Sequence, residues 1–148
     1  MLTNKDIWII CDIDGTISDQ SHREHFAREK EWDQYHEQCE LDPPILPILC
    51  IINGLSAKYS IAFITGRPEK YRDETVKWLG RHLVNLDYAL HMRKEGDYRH
   101  DFTIKQEIFL EQFSDRKVLF ALEDRNQVVN MWREEVGITC LQVAKGDF

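Results

Sequence analysis

Asp12 and Asp14 stand one residue apart in the run Asp12-Ile13-Asp14-Gly15-Thr16, directly after the apolar stretch Ile7-Trp8-Ile9-Ile10-Cys11. A short apolar run of this kind reads as a buried strand, and side chains two apart on a strand share a face. Two carboxylates held that close repel each other unless a cation or a proton lies between them. The pair therefore calls for a metal ion, and a donor set made only of oxygens suits Mg2+. Gly15 lets the chain turn sharply once the strand ends. Two more apolar runs end in groups of chemical interest: Thr65-Gly66-Arg67 closes one, and Glu123-Asp124 closes another. Taken singly these are weak signals. Thr65 alone reads as a turn residue, Lys105 as a solvated lysine on a helix, and Asp124 as a helix N-cap.

These groups need elements to carry them. Five runs read as strands, Ile7–Ile13, Ser60–Thr65, Asp87–His91, Lys117–Leu122 and Thr139–Val143. Helical spacing lies between them. Pro43-Pro44 precedes Ile45, Leu46, Leu49, Ile52 and Leu55; Pro68 precedes Tyr71, Thr75, Trp78 and Leu79. Asp101 is the expected N-cap of a helix carrying Ile104, Ile108 and Phe109. Asp124 precedes a helix with Val128, Val129 and Trp132, which Gly137 would end. Alternation of strands and helices predicts an α/β fold, a Rossmann-like parallel sheet of about five strands with helices on both faces. Active sites of such sheets lie beyond the carboxyl ends of the strands, where Asp12, Thr65 and Asp124 all fall.

The chain has 148 residues and a formal charge of −7. That length suits one domain, residues 1–148. The negative charge argues against a long nucleic-acid footprint, which draws its affinity from neutralised phosphates, but leaves room for a basic pocket around one phosphate. No apolar run reaches the roughly 18 residues that a membrane span requires. Met1–Asp6 is too short for a signal peptide before the first strand. Cys11, Cys39, Cys50 and Cys140 show no CxxC pairing, so free thiols and a cytoplasmic location are expected, with neither disulfides nor zinc.

In order along the chain, Asp12-Ile13-Asp14-Gly15-Thr16, Ile64-Thr65-Gly66-Arg67, Lys105 and Glu123-Asp124 resemble the four motifs of the haloacid dehalogenase superfamily of phosphatases. The resemblance implies a HAD-like fold in which Asp12 attacks phosphorus and passes through an aspartyl phosphate. Asp14 then serves as acid and base, and Thr65 and Lys105 hold the phosphate and the nucleophile. Mg2+ would sit among Asp12, the backbone carbonyl of Asp14, and Asp124, with Glu123 assisting. Ser18–Glu40 is polar and breaks the alternation; in this superfamily an insertion at that point forms a cap or flap. Being short, it should leave the site open to a substrate larger than a free metabolite.

Three further stretches narrow the resemblance. Glu123-Asp124-Arg125-Asn126-Gln127-Val128-Val129 with Met131-Trp132-Arg133 and Gln142–Phe148, Arg93–Asp101, and Lys105-Gln106-Glu107-Ile108-Phe109 are similar to the 3′-phosphatase domain of phage-type polynucleotide kinase/phosphatase. That family implies removal of a 3′-phosphate from nucleic-acid ends or nucleotides, with Arg23, Gly66, Arg67, Arg93 and Asp101 around the substrate. Guanidinium groups suit the task through their paired donors. Trp32, Tyr35 and Tyr98 are expected in the core or on its rim, with base stacking as the other reading. No GxxxxGK[ST] motif occurs here, so any kinase or ligase partner is expected on a separate chain, in the host cytoplasm if the source is a phage. Two other functions compete. One is a phosphatase of 5′-nucleotides or another small phosphoester. The other is a non-catalytic domain that binds an end or a partner protein, which the intact motifs disfavour.

Overall fold

The computed structural model describes residues 4–147; Met1, Leu2, Thr3 and Phe148, which belong to the segments read above as leader-free start and family-like tail, lie outside it. Five strands, β1 (Ile7–Cys11), β2 (Ser60–Pro68), β3 (Tyr88–Arg93), β4 (Lys117–Glu123) and β5 (Cys140–Gln142), form one parallel sheet in the order β3-β2-β1-β4-β5. β1 lies at the centre, so the strand that carries Asp12 at its tip has a neighbour on both sides. Three β-branched isoleucines and an aromatic in five residues fit that buried, pleated position.

The helices are α1 (Glu24–Arg28), α2 (Trp32–Glu37), α3 (Leu46–Ser56), α4 (Arg72–His82), α5 (Asp101–Phe113) and α6 (Asn126–Asn130), which continues as a π-helical stretch over Met131–Val136. Gly137, at φ 80°, ends that stretch as expected. One face of the sheet carries Ile9, Cys11, Phe63 and Leu122 against Ile48, Leu49 and Ile52 of α3 and Trp78 and Leu79 of α4. The other carries Ile10, Ala62, Ile64 and Ala121 against Phe109 and Phe113 of α5 and Val128, Val129 and Trp132. Among the described residues no helix is long and apolar enough to cross a membrane.

Local boundaries differ from the sequence reading in ways that bear on the site. β2 runs on through Thr65, Gly66 and Arg67 to Pro68, so Thr65 is a strand residue and not part of a turn. β3 ends at Arg93, two residues later than expected. Asp101 opens α5 from inside its first turn, with His100 in the capping position. Asp124 does not cap a helix either: α6 starts at Asn126 behind Arg125, which frees the Asp124 carboxylate for other work.

The insertion after Asp14 is stitched to the core at its base. Asp19 N–H donates to Pro43 O at 2.8 Å and Ile45 N–H to Ile17 O at 2.8 Å. Between these ties lie a 3-10 turn (Ser21–Arg23), α1, α2 and a second 3-10 turn (Cys39–Leu41). The insertion is small and tied to α4 as well as to its own base. Trp78 Nε1 on α4 donates to Asp42 O at 2.8 Å, and Lys70 Nζ reaches Asp33 at 2.7 Å.

Candidate active site

Asp12 leaves the tip of β1 with its N–H bonded to Leu122 O at 3.0 Å, continuing the β1–β4 ladder. Its side chain is buried, and each oxygen accepts a bond. Lys105 Nζ donates to Oδ1 at 2.6 Å and Thr16 Oγ1 to Oδ2 at 3.1 Å. Lys105 comes from the first turns of α5 and is itself buried. It also bonds Glu123 Oε2 at 2.8 Å and lies 3.4 Å from Asp101 Oδ2. Desolvation opposes its charge, but Asp101, Asp12 and Glu123 outweigh that and hold the ammonium well above its usual range.

Asp12, Glu123 and Asp124 offer oxygens that all lie within 4.8 Å of one another. One lysine does not balance three buried carboxylates. Burial, then the charge of Glu123, push Asp12 up to about 8 against the pull of Lys105. Burial raises Glu123 to about 7, and burial with the charge of Asp12 raises Asp124 to about 7. Asp124 Oδ1 is buried without a hydrogen-bond partner. A buried carboxylate oxygen facing other carboxylates is the place for a hard cation, and the all-oxygen donors suit Mg2+. Gly15, at φ +79°, is required here. A Cβ at that position would collide with the Asp124 carboxylate. Glu123 spends both oxygens on protein donors, Oε2 on Lys105 and Oε1 on the Asp124 and Arg125 amides at 3.1 and 3.3 Å. It therefore positions Lys105 as much as it adds charge.

Asp14 is not part of that cluster. Its carboxylate meets Arg67, whose Nε lies 3.1 and 3.0 Å from the two oxygens and Nη2 2.7 Å from Oδ1, and it also accepts from Arg23 Nη2. Burial raises its pKa, but the two guanidiniums overcome this and hold the carboxyl well below the usual range. Of the metal-ligand set expected from the sequence, the structure groups the side chains of Asp12, Glu123 and Asp124 and leaves Asp14 with its backbone carbonyl to offer.

The sequence reading missed Asp42. This buried carboxylate accepts from Arg23 Nε at 2.7 Å and Nη2 at 2.6 Å, from His22 Nε2 at 2.8 Å and from Ser18 Oγ at 3.0 Å, with Arg67 Nη2 at 3.4 Å. Two carboxylates, Asp14 and Asp42, and two guanidiniums, Arg23 and Arg67, thus interlock. Arg23 also stacks over the Tyr35 ring at 4.2 Å and donates to Tyr35 O, and Tyr35 Oη is bonded to Gln20. Thr75 Oγ1 accepts from Arg67 Nη1 at 3.2 Å. The only signal for Asp42 was a carboxylate before Pro43-Pro44, which reads equally as a turn.

Thr65 is buried at the end of β2, and its Oγ1 accepts the Arg67 amide at 3.2 Å. Gly66 passes so close to Asp101 that a Cβ would collide with that carboxylate. Arg93 does not reach Asp12; it clamps backbone. Its Nε donates to Gly66 O at 2.8 Å and its Nη1 to Asp97 O at 3.0 Å and Arg99 O at 2.7 Å, with Asp101 Oδ1 at 3.5 Å from Nη2. Of the three aromatics, Tyr35 is in the core, Trp32 is half exposed and Tyr98 is 92% exposed.

A carboxylate bonded to a lysine, beside an acidic cluster and opposite a pair of buried guanidiniums, can attack and hold a phosphoryl group. Two chains from structures of the Pnkp1/Rnl/Hen1 RNA repair complex are each 35% identical to this one. They match with TM-scores of 0.84 and 0.83 over 96% and 99% of this chain, and 43% and 48% of their own length. A protein of Autographa californica nuclear polyhedrosis virus, named as a bifunctional polynucleotide kinase/RNA ligase, is 23% identical over 129 residues, 85% of this chain and 18% of its own. The chain therefore spans less than half the length of these relatives. A class C acid phosphatase from Bacillus anthracis is 15% identical with a TM-score of 0.65 over 97% of this chain and 68% of its own. A haloacid dehalogenase-like hydrolase from Streptococcus pneumoniae is also 15% identical, with a TM-score of 0.64 over 93% and 84%. Both share the HAD-like fold. The family model described as the polynucleotide kinase PNKP phosphatase domain matches residues 6–148, and the chain belongs to that family.

Proposed function

We propose that this chain removes the 3′-phosphate from a nucleic-acid end, with Asp12 as nucleophile. The observation that carries the proposal is the Asp12–Lys105 contact of 2.6 Å at the tip of the central strand, beside the Asp124 oxygen that lacks a partner. Asp12 forms a bond to phosphorus as the bond to the 3′ oxygen breaks, and that oxygen leaves with a proton from Asp14. Asp14 next takes a proton from the water that hydrolyses the aspartyl phosphate and restores Asp12. A dianionic phosphate competes with Asp14 for Arg23 and Arg67, and losing those contacts lets the carboxyl carry a proton. Thr65 and Lys105 donate to the phosphoryl oxygens. Asp12 and Asp124, with Glu123 behind them, would hold Mg2+, which when bound supplies positive charge to the nucleophile and the phosphoryl group. Arg93 and Asp101 shape the rim that the substrate crosses.

Four unpaired thiols suit a cytoplasmic setting, and a kinase or ligase that acts on the same ends would complete a repair reaction. The test is phosphate release from a 3′-phosphorylated oligonucleotide with Mg2+ and with EDTA, beside nucleoside 5′-monophosphates. Release that needs Mg2+ and prefers the 3′ end supports the reading. Turnover confined to 5′-monophosphates would assign the site to small phosphoesters instead.

A further inference from the structure

The loop 94–100 joins the end of β3 to the start of α5, on the edge of the sheet where Asp12 and Thr65 lie. It is unusually well braced. Arg93 Nη1 donates to the carbonyls of Asp97 and Arg99, the residues on either side of Tyr98, while its Nε donates to Gly66 O, next to Thr65. Arg99 forks onto Asp97, with Nε at 3.0 Å and Nη2 at 2.7 Å, and onto Glu107 of α5 at 2.6 and 2.8 Å. Gly96, at φ +78°, makes the turn. The backbone under Tyr98 is thus tied through one guanidinium to the strand end that carries Thr65.

On this fixed support the Tyr98 ring contacts nothing. It is 92% exposed and makes no hydrogen bond or ring contact with the rest of the described chain. Tyr35 and Tyr71, by contrast, are packed. An aromatic ring held out into water on a rigid loop gives up burial for no gain in the free protein. Arg99 beside it is spent on Asp97 and Glu107, so the feature offered to a ligand is the flat face of the ring itself, which suits a nucleic-acid base.

We infer that Tyr98 is a specificity-determining residue that stacks on a base of the strand bearing the phosphate, which makes a polynucleotide end the preferred substrate over a mononucleotide. The inference rests on the reading of the site as a 3′-phosphatase. Its test compares the wild type, Tyr98→Ala and Tyr98→Phe on a 3′-phosphorylated oligonucleotide, a nucleoside 3′-monophosphate and p-nitrophenyl phosphate. Loss of one stacked base should raise KM for the oligonucleotide about five- to hundredfold in Tyr98→Ala, with kcat unchanged. Tyr98→Phe should behave as the wild type, and all three proteins should turn over p-nitrophenyl phosphate alike. Abasic nucleotides placed in turn at the last three positions should raise the wild-type KM at one position, and Tyr98→Ala should lose that sensitivity. Equal oligonucleotide KM values for the wild type and Tyr98→Ala would overturn the role of Tyr98 and leave the 3′-phosphatase reading standing. A wild type that hydrolyses p-nitrophenyl phosphate but no 3′ end would overturn both.

Discussion

Arg67 lays Nε and Nη2 across both oxygens of Asp14 at distances of 2.7 to 3.1 Å, and all of the Arg67 side chain is buried. A guanidinium this deep exists only because anions meet it, here Asp14 and, at 3.4 Å, Asp42. Neither member is optional once the other is in place.

Removing the cation should therefore cost more than removing the pair. Arg67→Met leaves Asp14 buried without one of its two guanidiniums, and a broken buried ion pair costs about 3–5 kcal/mol. The double variant Arg67→Met with Asp14→Ala should recover part of that loss, because the stranded carboxylate goes with it. Urea denaturation of the four proteins in the cycle measures the coupling. Additive losses would show that the two side chains do not depend on each other.

Metal dependence should appear in stability as well as in rate. Asp12, Glu123 and Asp124 titrate near 8, 7 and 7 in the metal-free fold, above their values in an unfolded chain. Groups raised in this way add stability at low pH and lose it as pH climbs through the folded values. The melting temperature of metal-free protein should thus fall between about pH 6 and pH 8. Mg2+ should restore it, more at the higher pH and with release of protons, because its ligands must be ionised. An equal Mg2+ increment at both pH values, without proton release, would contradict this.

His36 should act in the opposite sense. Burial, against the attraction of Asp14, holds its pKa down to about 4, and its Nδ1 is buried without a partner. The neutral ring is therefore the folded form. The contribution is whole above about pH 6.5 and is lost as pH falls through about 4. A shift of that size is worth about 3 kcal/mol, so His36→Phe, which keeps the ring contacts with Tyr35 and Tyr71, should flatten this part of the pH profile by roughly that amount. Unfolding curves of both proteins at about pH 4.5 and 7 decide it. Parallel profiles would mean that His36 is protonated in the fold.

Much of the site was legible because strand tips are local features. Asp12, Thr65 and Asp124 each follow an apolar run, and a parallel sheet brings such ends to one edge whatever the loops do. The fate of Arg23 and Arg67 was less visible. Charged side chains are exposed by default, and their burial depends on Asp42, 19 and 25 residues away. Nothing in the local pattern around Asp42 distinguishes a salt-bridge hub from a turn before two prolines. Asp101 and Asp124 read as helix caps for a similar reason. A carboxylate before a helix satisfies the capping pattern, while its actual partners, Lys105 and the acidic cluster, become visible only in three dimensions. Tyr98 was ambiguous until the bracing of its loop showed a ring with no place in the core.

The most direct test of the central claim is phosphate release from a 3′-phosphorylated oligonucleotide by Asp12→Asn protein at saturating Mg2+, with the fold checked by circular dichroism. Asparagine keeps the size of the side chain and its place beside Lys105 and Thr16 but removes the nucleophile. A loss on the order of a thousandfold or more in kcat with an intact fold is the predicted result. Turnover by Asp12→Asn within tenfold of the wild type would show that another group attacks phosphorus.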